Sequence, residues 1–392
     1  MPQPLQTMPC RVTGYEAAYE GLNISETYLI AFNDICNNGK NAFSPAAYTD
    51  YVGSYIYIPI ISKIFGSSIE NSTIYFFLIY GLLCILFSLI GLFRLYKSKF
   101  AKIYGSFAII FVGFLCIFMS DTYSFYGLTS LALVTWWSRF QKMENNKIKK
   151  IFIFCLTTGI IIAFSNSVRG HSGSDLLVSI FFVSIFLFYN KKIYKRVIIF
   201  SVILIPIFIL NFYLKNLQDK AKNYLIKNTN AEEKYDLNYV RAVWHNAYYS
   251  LGYLQLADTE KIEPTDVFSV KKAQEIDPYV KLFSKEYENV LKKEYFRFVK
   301  NNPLSFIKII LAKSAVVFLY FVIFFNIGIY FLFKNKFNIE NFIFFLSGIT
   351  FNGLLGVATE PNYTYLLGLF AYSSLYSINL IEDQNSEIFK TN

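Results

Sequence analysis

Four clusters of polar residues in an otherwise apolar chain have the types and spacing to do chemistry. The first is acidic. Glu26 opens a short segment with helical spacing, Asp34 follows two turns on, Asp50 precedes an aromatic apolar stretch, and Asp121 stands in a short break between two apolar runs. A carboxylate held at a membrane surface can take the proton of an incoming hydroxyl or amine as a general base. The plainer role for each is a helix cap or a charge on a helix N-terminus. The second cluster is Asn166, Arg169, Gly170, His171 and Gly173. Arg suits a phosphate oxygen, and the glycines let backbone approach a ligand closely. Snorkelling of Arg169 to lipid headgroups is the alternative. The third runs from Arg241 through Trp244, His245, Asn246, Tyr248 and Tyr249 to Tyr253. Rings stack on sugar faces while polar tips fix orientation, although Trp and Tyr also form interfacial belts. His171 and His245 are the two histidines of the chain, and each can donate or accept near neutral pH. The fourth is Glu360, Asn362, Tyr363 and Tyr365, either a cavity rim or an ordinary turn. No Cys/His spacing resembles a zinc site. Cys84, Cys116 and Cys155 sit in apolar runs as small hydrophobes, whereas Cys10 and Cys36 lie in a polar region and could pair in an oxidising compartment.

The elements that must position these clusters are membrane helices. Of 392 residues 54% are hydrophobic, 19% aromatic and only 16% charged, against about a quarter charged in soluble domains. Apolar runs of roughly 17–25 residues predict an all-α polytopic membrane protein. Nine spans fall near 73–96, 103–119, 123–139, 151–166, 174–189, 197–214, 313–333, 341–358 and 363–381. Lys and Arg crowd alternate loops, at Lys97, Lys99 and Lys102, at Arg139 to Lys150, at Lys191 to Arg196, and at Lys334 and Lys336. These loops are therefore expected in the cytoplasm. The net charge of +10 reflects this orientation signal and does not point to nucleic acid. The alternation puts 1–71 outside, 72–214 as six transmembrane helices, 215–303 as an outer insert, 304–381 as three more helices, and 382–392 as a cytoplasmic tail. Within the polar parts, helices are expected over Glu26–Asn38, Tyr55–Phe65 at the interface, Asn211–Lys227 and Asp277–Lys300. The start of the chain lacks the basic and apolar regions of a signal peptide. An outer tail of this length is most simply expected to follow a first helix that is missing here, the rival being translocation of the N-terminal tail itself.

Three stretches carry a family likeness. Ser25, Glu26, Thr27 and Tyr28, running through Asn33 and Asp34 to Gly39, are similar to an Asp-Glu-x-x-Tyr helix. Tyr55, Tyr57, Pro59, Phe65 and Gly66 resemble a Pro-containing juxtamembrane helix ending in Phe-Gly. Asp121 and Tyr123 stand where a second acid is often kept. The chain thus resembles the GT-C superfamily of integral-membrane glycosyltransferases, in particular bacterial relatives of the protein O-mannosyltransferases and the aminoarabinose transferase of lipid A. The resemblance implies transfer of a sugar from a polyprenyl-phosphate donor to a glycan, lipid or protein acceptor, on the outer face of a bacterial inner membrane. It implies Glu26 as base, Asp121 as second acid and Arg169 as phosphate contact, and Asp34 is a further catalytic candidate. Asp50, His171, Arg241, Trp244, His245, Asn246, Glu360 and Tyr363 are the remaining substrate-binding candidates. A divalent cation is left open as a cofactor. The chain departs from the pattern in Ser25, which replaces the catalytic Asp, in Val168 to His171, which replace a basic stretch, and in the absent first span. Two rivals remain. An O-antigen polymerase or ligase would centre on Arg241 and His245. A transporter or flippase would show inverted repeats and mid-membrane charges. An inactive fragment is a further reading.

Overall fold

In the computed structural model, the described residues are 16–23, 25–27, 29, 52–119, 122–139, 148–186, 193–228, 243–259, 262–282, 284–335 and 338–388. Their regular elements are all helical, with no β-strand among them. In chain order they are α1 (Val52–Phe65), α2 (Ile69–Leu95), α3 (Lys99–Met119), α4 (Ser124–Trp137), α5 (Ile148–Val168), α6 (Ser174–Phe186) and α7 (Ile193–Asn228). Then come α8 (Val243–Tyr249), a 3-10 turn (Ser250–Leu254), α9 (Asp266–Ile276) and α10 (Lys285–Asn301). The chain closes with α11 (Pro303–Phe325), α12 (Gly328–Lys334), α13 (Ile339–Ala358) and α14 (Leu367–Ile388).

Among the described residues six helices, α2, α3, α5, α7, α11 and α13, are long and apolar enough to cross a membrane. The chain is a multi-pass membrane protein. Large apolar side chains on the outer faces of these helices stay uncovered, among them Phe107, Phe118, Phe212 and Phe318 at 64–77% exposure. Such bands are costly in water and ordinary in hydrocarbon. Helices α4 and α14 differ from them. Nearly every residue of α4 is buried, and so is the run from Leu366 to Ile381. They form the axis of the bundle: α14 packs on α3, α4, α11, α12 and α13, and α2 and α3 enclose α4. A helix covered on all sides by protein can carry hydroxyls and amides, and α14 buries Ser373, Ser374, Ser377 and Asn379. This explains why its sequence is less apolar than that of its neighbours.

Close approaches need small residues. A Cβ on Gly159 would lie 2.3 Å from the Ile203 carbonyl oxygen, so glycine there lets α5 and α7 touch backbone to backbone. Helix α7 has 36 residues, about 54 Å at 1.5 Å per residue. A hydrocarbon core is about 30 Å thick, so the polar part after Lys215 projects beyond it. It joins α1, α8, α9 and α10 around a second core that includes Val52, Ile58, Phe76, Val168, Leu225, Tyr248, Tyr287 and Leu291. This layer caps one end of the bundle.

Three boundaries differ from those the sequence suggests. Helix α11 begins at Pro303, ten residues before the expected span, and stops at Asn326, where φ is 20°. The expected span opened on Lys313, whereas the fold carries the helix a further ten residues back and buries that lysine within it. Helix α10 begins at Lys285 rather than Asp277, because the Ser284 hydroxyl accepts from the Tyr287 N–H and fixes the start there. Asp277 belongs to the end of α9, a helix not expected, which is capped by Thr265.

Candidate functional site

The capped end gathers the loops α3–α4, α5–α6 and α13–α14. Tyr123 and Tyr126 stand at the start of α4. The Arg169 guanidinium lies 3.9 Å from the Tyr123 ring centre and 5.7 Å from that of Tyr126, and its Nε donates to the Tyr126 hydroxyl at 3.3 Å. Tyr126 in turn donates to the Gly170 carbonyl at 3.0 Å. Tyr123 and Tyr365 meet edge to face, with their hydroxyls 3.1 Å apart. Three loops are thus stitched by one cation and three phenols. The α5–α6 loop can make its tight turn because Gly173 takes φ +79° and His171 takes φ 69°. His171 is exposed, Arg169 and Glu360 are partly buried, and Tyr363 is 49% exposed.

Below this loop lies an acid that sequence reasoning did not single out. Asp175 in the first turn of α6 is 3% exposed and accepts from the Ser130 hydroxyl, the Asn352 amide and the Leu176 N–H. Its carboxylate joins α4, α6 and α13. A second such group is Lys313 of α11, 1% exposed, whose ammonium donates to the Thr359 carbonyl at 2.6 Å and lies 5.7 Å from the Tyr253 ring. Burial and the neighbouring Glu360 carboxylate both push the Tyr253 phenol above its usual range. The signal for both residues was in the chain: an ionisable side chain inside an apolar run is a candidate by default.

Glu26 closes a capping box. The Asn23 side-chain oxygen accepts from the Ser25 and Glu26 N–H groups, and the Glu26 carboxylate accepts from the Asn23 N–H at 3.1 Å. Leu29, one turn on, packs against the second core, so this helix belongs to the capped end. Asp34, Asp50, Asp121 and Arg241 lie outside the described residues.

In the cap, His245 is 3% exposed and its Nδ1 lies 2.5 Å from the Tyr287 hydroxyl. Glu288 accepts from the Trp244 and His245 N–H groups at the start of α8, at 2.7 and 3.2 Å. Burial raises the Glu288 carboxyl above its ordinary value, and those two N–H bonds hold the rise back. Trp244 packs on Tyr295 and Phe296 with Lys292 over its ring. Asn246, beside them, is partly exposed. The aromatic cluster that looked like a sugar wall therefore places its Trp and His mainly against α10.

The far end of the bundle has a different character. Arg139 is 7% exposed and pairs with Asp383 while donating to the Asn379 carbonyl. Glu382 accepts from the Lys97 and Ser98 N–H groups ahead of α3. Asn341 donates to Asp383. These contacts tie α14 to α3, α4 and α13. Among the described residues no group of three or more His, Cys, Asp and Glu could hold a metal ion.

The capped end thus offers a stacked guanidinium, a buried ammonium, several phenols and partly exposed carboxylates on a lipid-embedded scaffold. Compared with protein-family models, curated proteins and solved structures, the chain matches none.

Proposed function

We propose that this chain is a glycosyltransferase that moves a sugar from a polyprenyl-phosphate carrier to a glycan, lipid or protein acceptor at the capped end of its bundle. One observation carries the reading: the Arg169 loop, the tyrosines that follow Asp121, and the Glu360–Tyr365 loop converge on that end, beneath a helical cap. An anionic lipid carrier needs a cation at the membrane rim, and a sugar needs rings and hydroxyls beside it. In this reading Glu26 is the base and Arg169 the phosphate contact. Asp121 and Asp34 are the further acids, and Glu360, Tyr363, His171 and Asn246 line the approach.

The proposed topology has nine crossings, with α4, α6 and α14 as inner spans, and the cap on the extracytoplasmic face of a bacterial inner membrane. The Lys and Arg of alternate loops support this orientation. The test is sugar transfer by membranes containing the chain, using a panel of polyprenyl-phosphate sugars. Glu26→Gln is the informative variant, because Gln also completes a capping box and removes only the charge.

A further inference from the structure

A cavity of about 190 Å³ opens where the cap meets α11 and α13, lined by Ser250 and Tyr295 of the cap, Phe306 and Lys313 of α11, and Leu354 and Val357 of α13. Among the described residues its lining is apolar apart from a few groups, of which Lys313 is the only one that carries a full charge. An ammonium in such a wall costs several kcal/mol unless an anion or well-placed acceptors compensate. An ammonium has three N–H donors, and among the described residues its hydrogen-bond acceptor is the Thr359 carbonyl. Capping the end of α13 does not require burial, since an exposed lysine would serve equally. At its edge Leu354 of α13, one of the helices long and apolar enough to cross a membrane, is 61% exposed.

We infer that this cavity seats the phosphate-bearing end of a membrane lipid, with the Lys313 ammonium as its cationic contact. The chain of the lipid leaves between α11 and α13, and Tyr295 and Ser250 of the cap close over the head. The site is separate from the Arg169 stack, and the loop from Thr359 to Tyr365 joins the two. It deepens the proposed function, because a lipid-phosphate substrate would need a seat of this kind beside the reacting loops.

The test uses the full chain in nanodiscs of phosphatidylcholine, titrated with a long-chain isoprenyl phosphate, the matching isoprenol, phosphatidylglycerol and inorganic phosphate. Wild type is expected to prefer the isoprenyl phosphate to the alcohol by about tenfold, a charge-assisted contact. Lys313→Gln is expected to abolish that preference and leave alcohol binding unchanged. Val357→Trp is expected to weaken both lipids by filling the cavity, and it decides the matter if Lys313→Gln does not fold. Competition by phosphatidylglycerol as strong as by isoprenyl phosphate supports the seat and assigns it to bulk lipid. A folded Lys313→Gln that keeps the preference overturns the inference and leaves Lys313 a helix cap. Effective competition by inorganic phosphate, or an indifferent Val357→Trp, also overturns it. A Lys313-dependent preference without sugar transfer by wild type keeps the seat and removes the transferase reading. Transfer with an unchanged preference in Lys313→Gln does the reverse.

Discussion

At the scale of single residues, the same side chain can serve the fold and the chemistry, and substitutions can separate the two. His245 and Glu288 illustrate the structural side. His245→Ala removes a buried ring and leaves the Tyr287 hydroxyl facing a void, so a loss of about 2–4 kcal/mol in stability is expected from thermal unfolding in detergent. A polymerase or ligase centred on His245 would instead lose activity with stability unchanged. Glu288 adds a pH signature. Its folded carboxyl titrates above its ordinary value of 4.5. The folded state therefore holds its proton to higher pH than the unfolded state does. That contribution to stability is fully present below the ordinary value and is lost as pH rises through the raised one. Unfolding of the cap, followed by hydrogen exchange of α8 and α10, is expected to become easier across that window. In Glu288→Gln this step should vanish. The residue types were legible in the sequence. What they touch was not, because Glu288 reaches Trp244 and His245 from 44 and 43 residues away.

At the scale of elements, apolar runs announced the long helices, and glycine decides how closely they pack. Gly159→Leu would drive a side chain into the Ile203 carbonyl, and a loss of about 1–3 kcal/mol is expected. The buried ion pair of Arg139 and Asp383 gives a second check at the opposite end. Asp383→Asn should cost about 3 kcal/mol by leaving the guanidinium underpaired, and thermal unfolding reads it. The sequence placed most helices within a few residues. It failed at α11, whose first ten residues were expected ahead of the span, and at α9, whose polar surface gives a weak apolar period. At α11 the helix tolerates a charge because other elements cover Lys313, and neighbours distant in the chain cannot be seen locally.

At the scale of the whole molecule, the fold separates two ends. One holds Arg169, Lys313 and the cap, and the other holds Arg139, Glu382 and Asp383. Charge alternation in the loops suggested two faces before any coordinates, whereas the covering of α4 and α14 by their neighbours could be known only from packing. The proposed orientation predicts that a cysteine at Tyr279, which is 94% exposed, reacts with a membrane-impermeant maleimide in intact cells. A cysteine at Lys99 should react only after permeabilisation, and the opposite pattern would invert the topology. The central claim is sugar transfer from a lipid phosphate with Glu26 as base. Its most direct measurement is transfer of labelled sugar from polyprenyl-phosphate donors by purified wild type and by Glu26→Gln, each shown to be folded by its unfolding temperature. The expected result is transfer by wild type and a loss of about a hundredfold or more in the variant, the usual worth of a general base. Equal transfer by both proteins would contradict the assignment of Glu26, and no transfer by wild type from any donor would contradict the function itself.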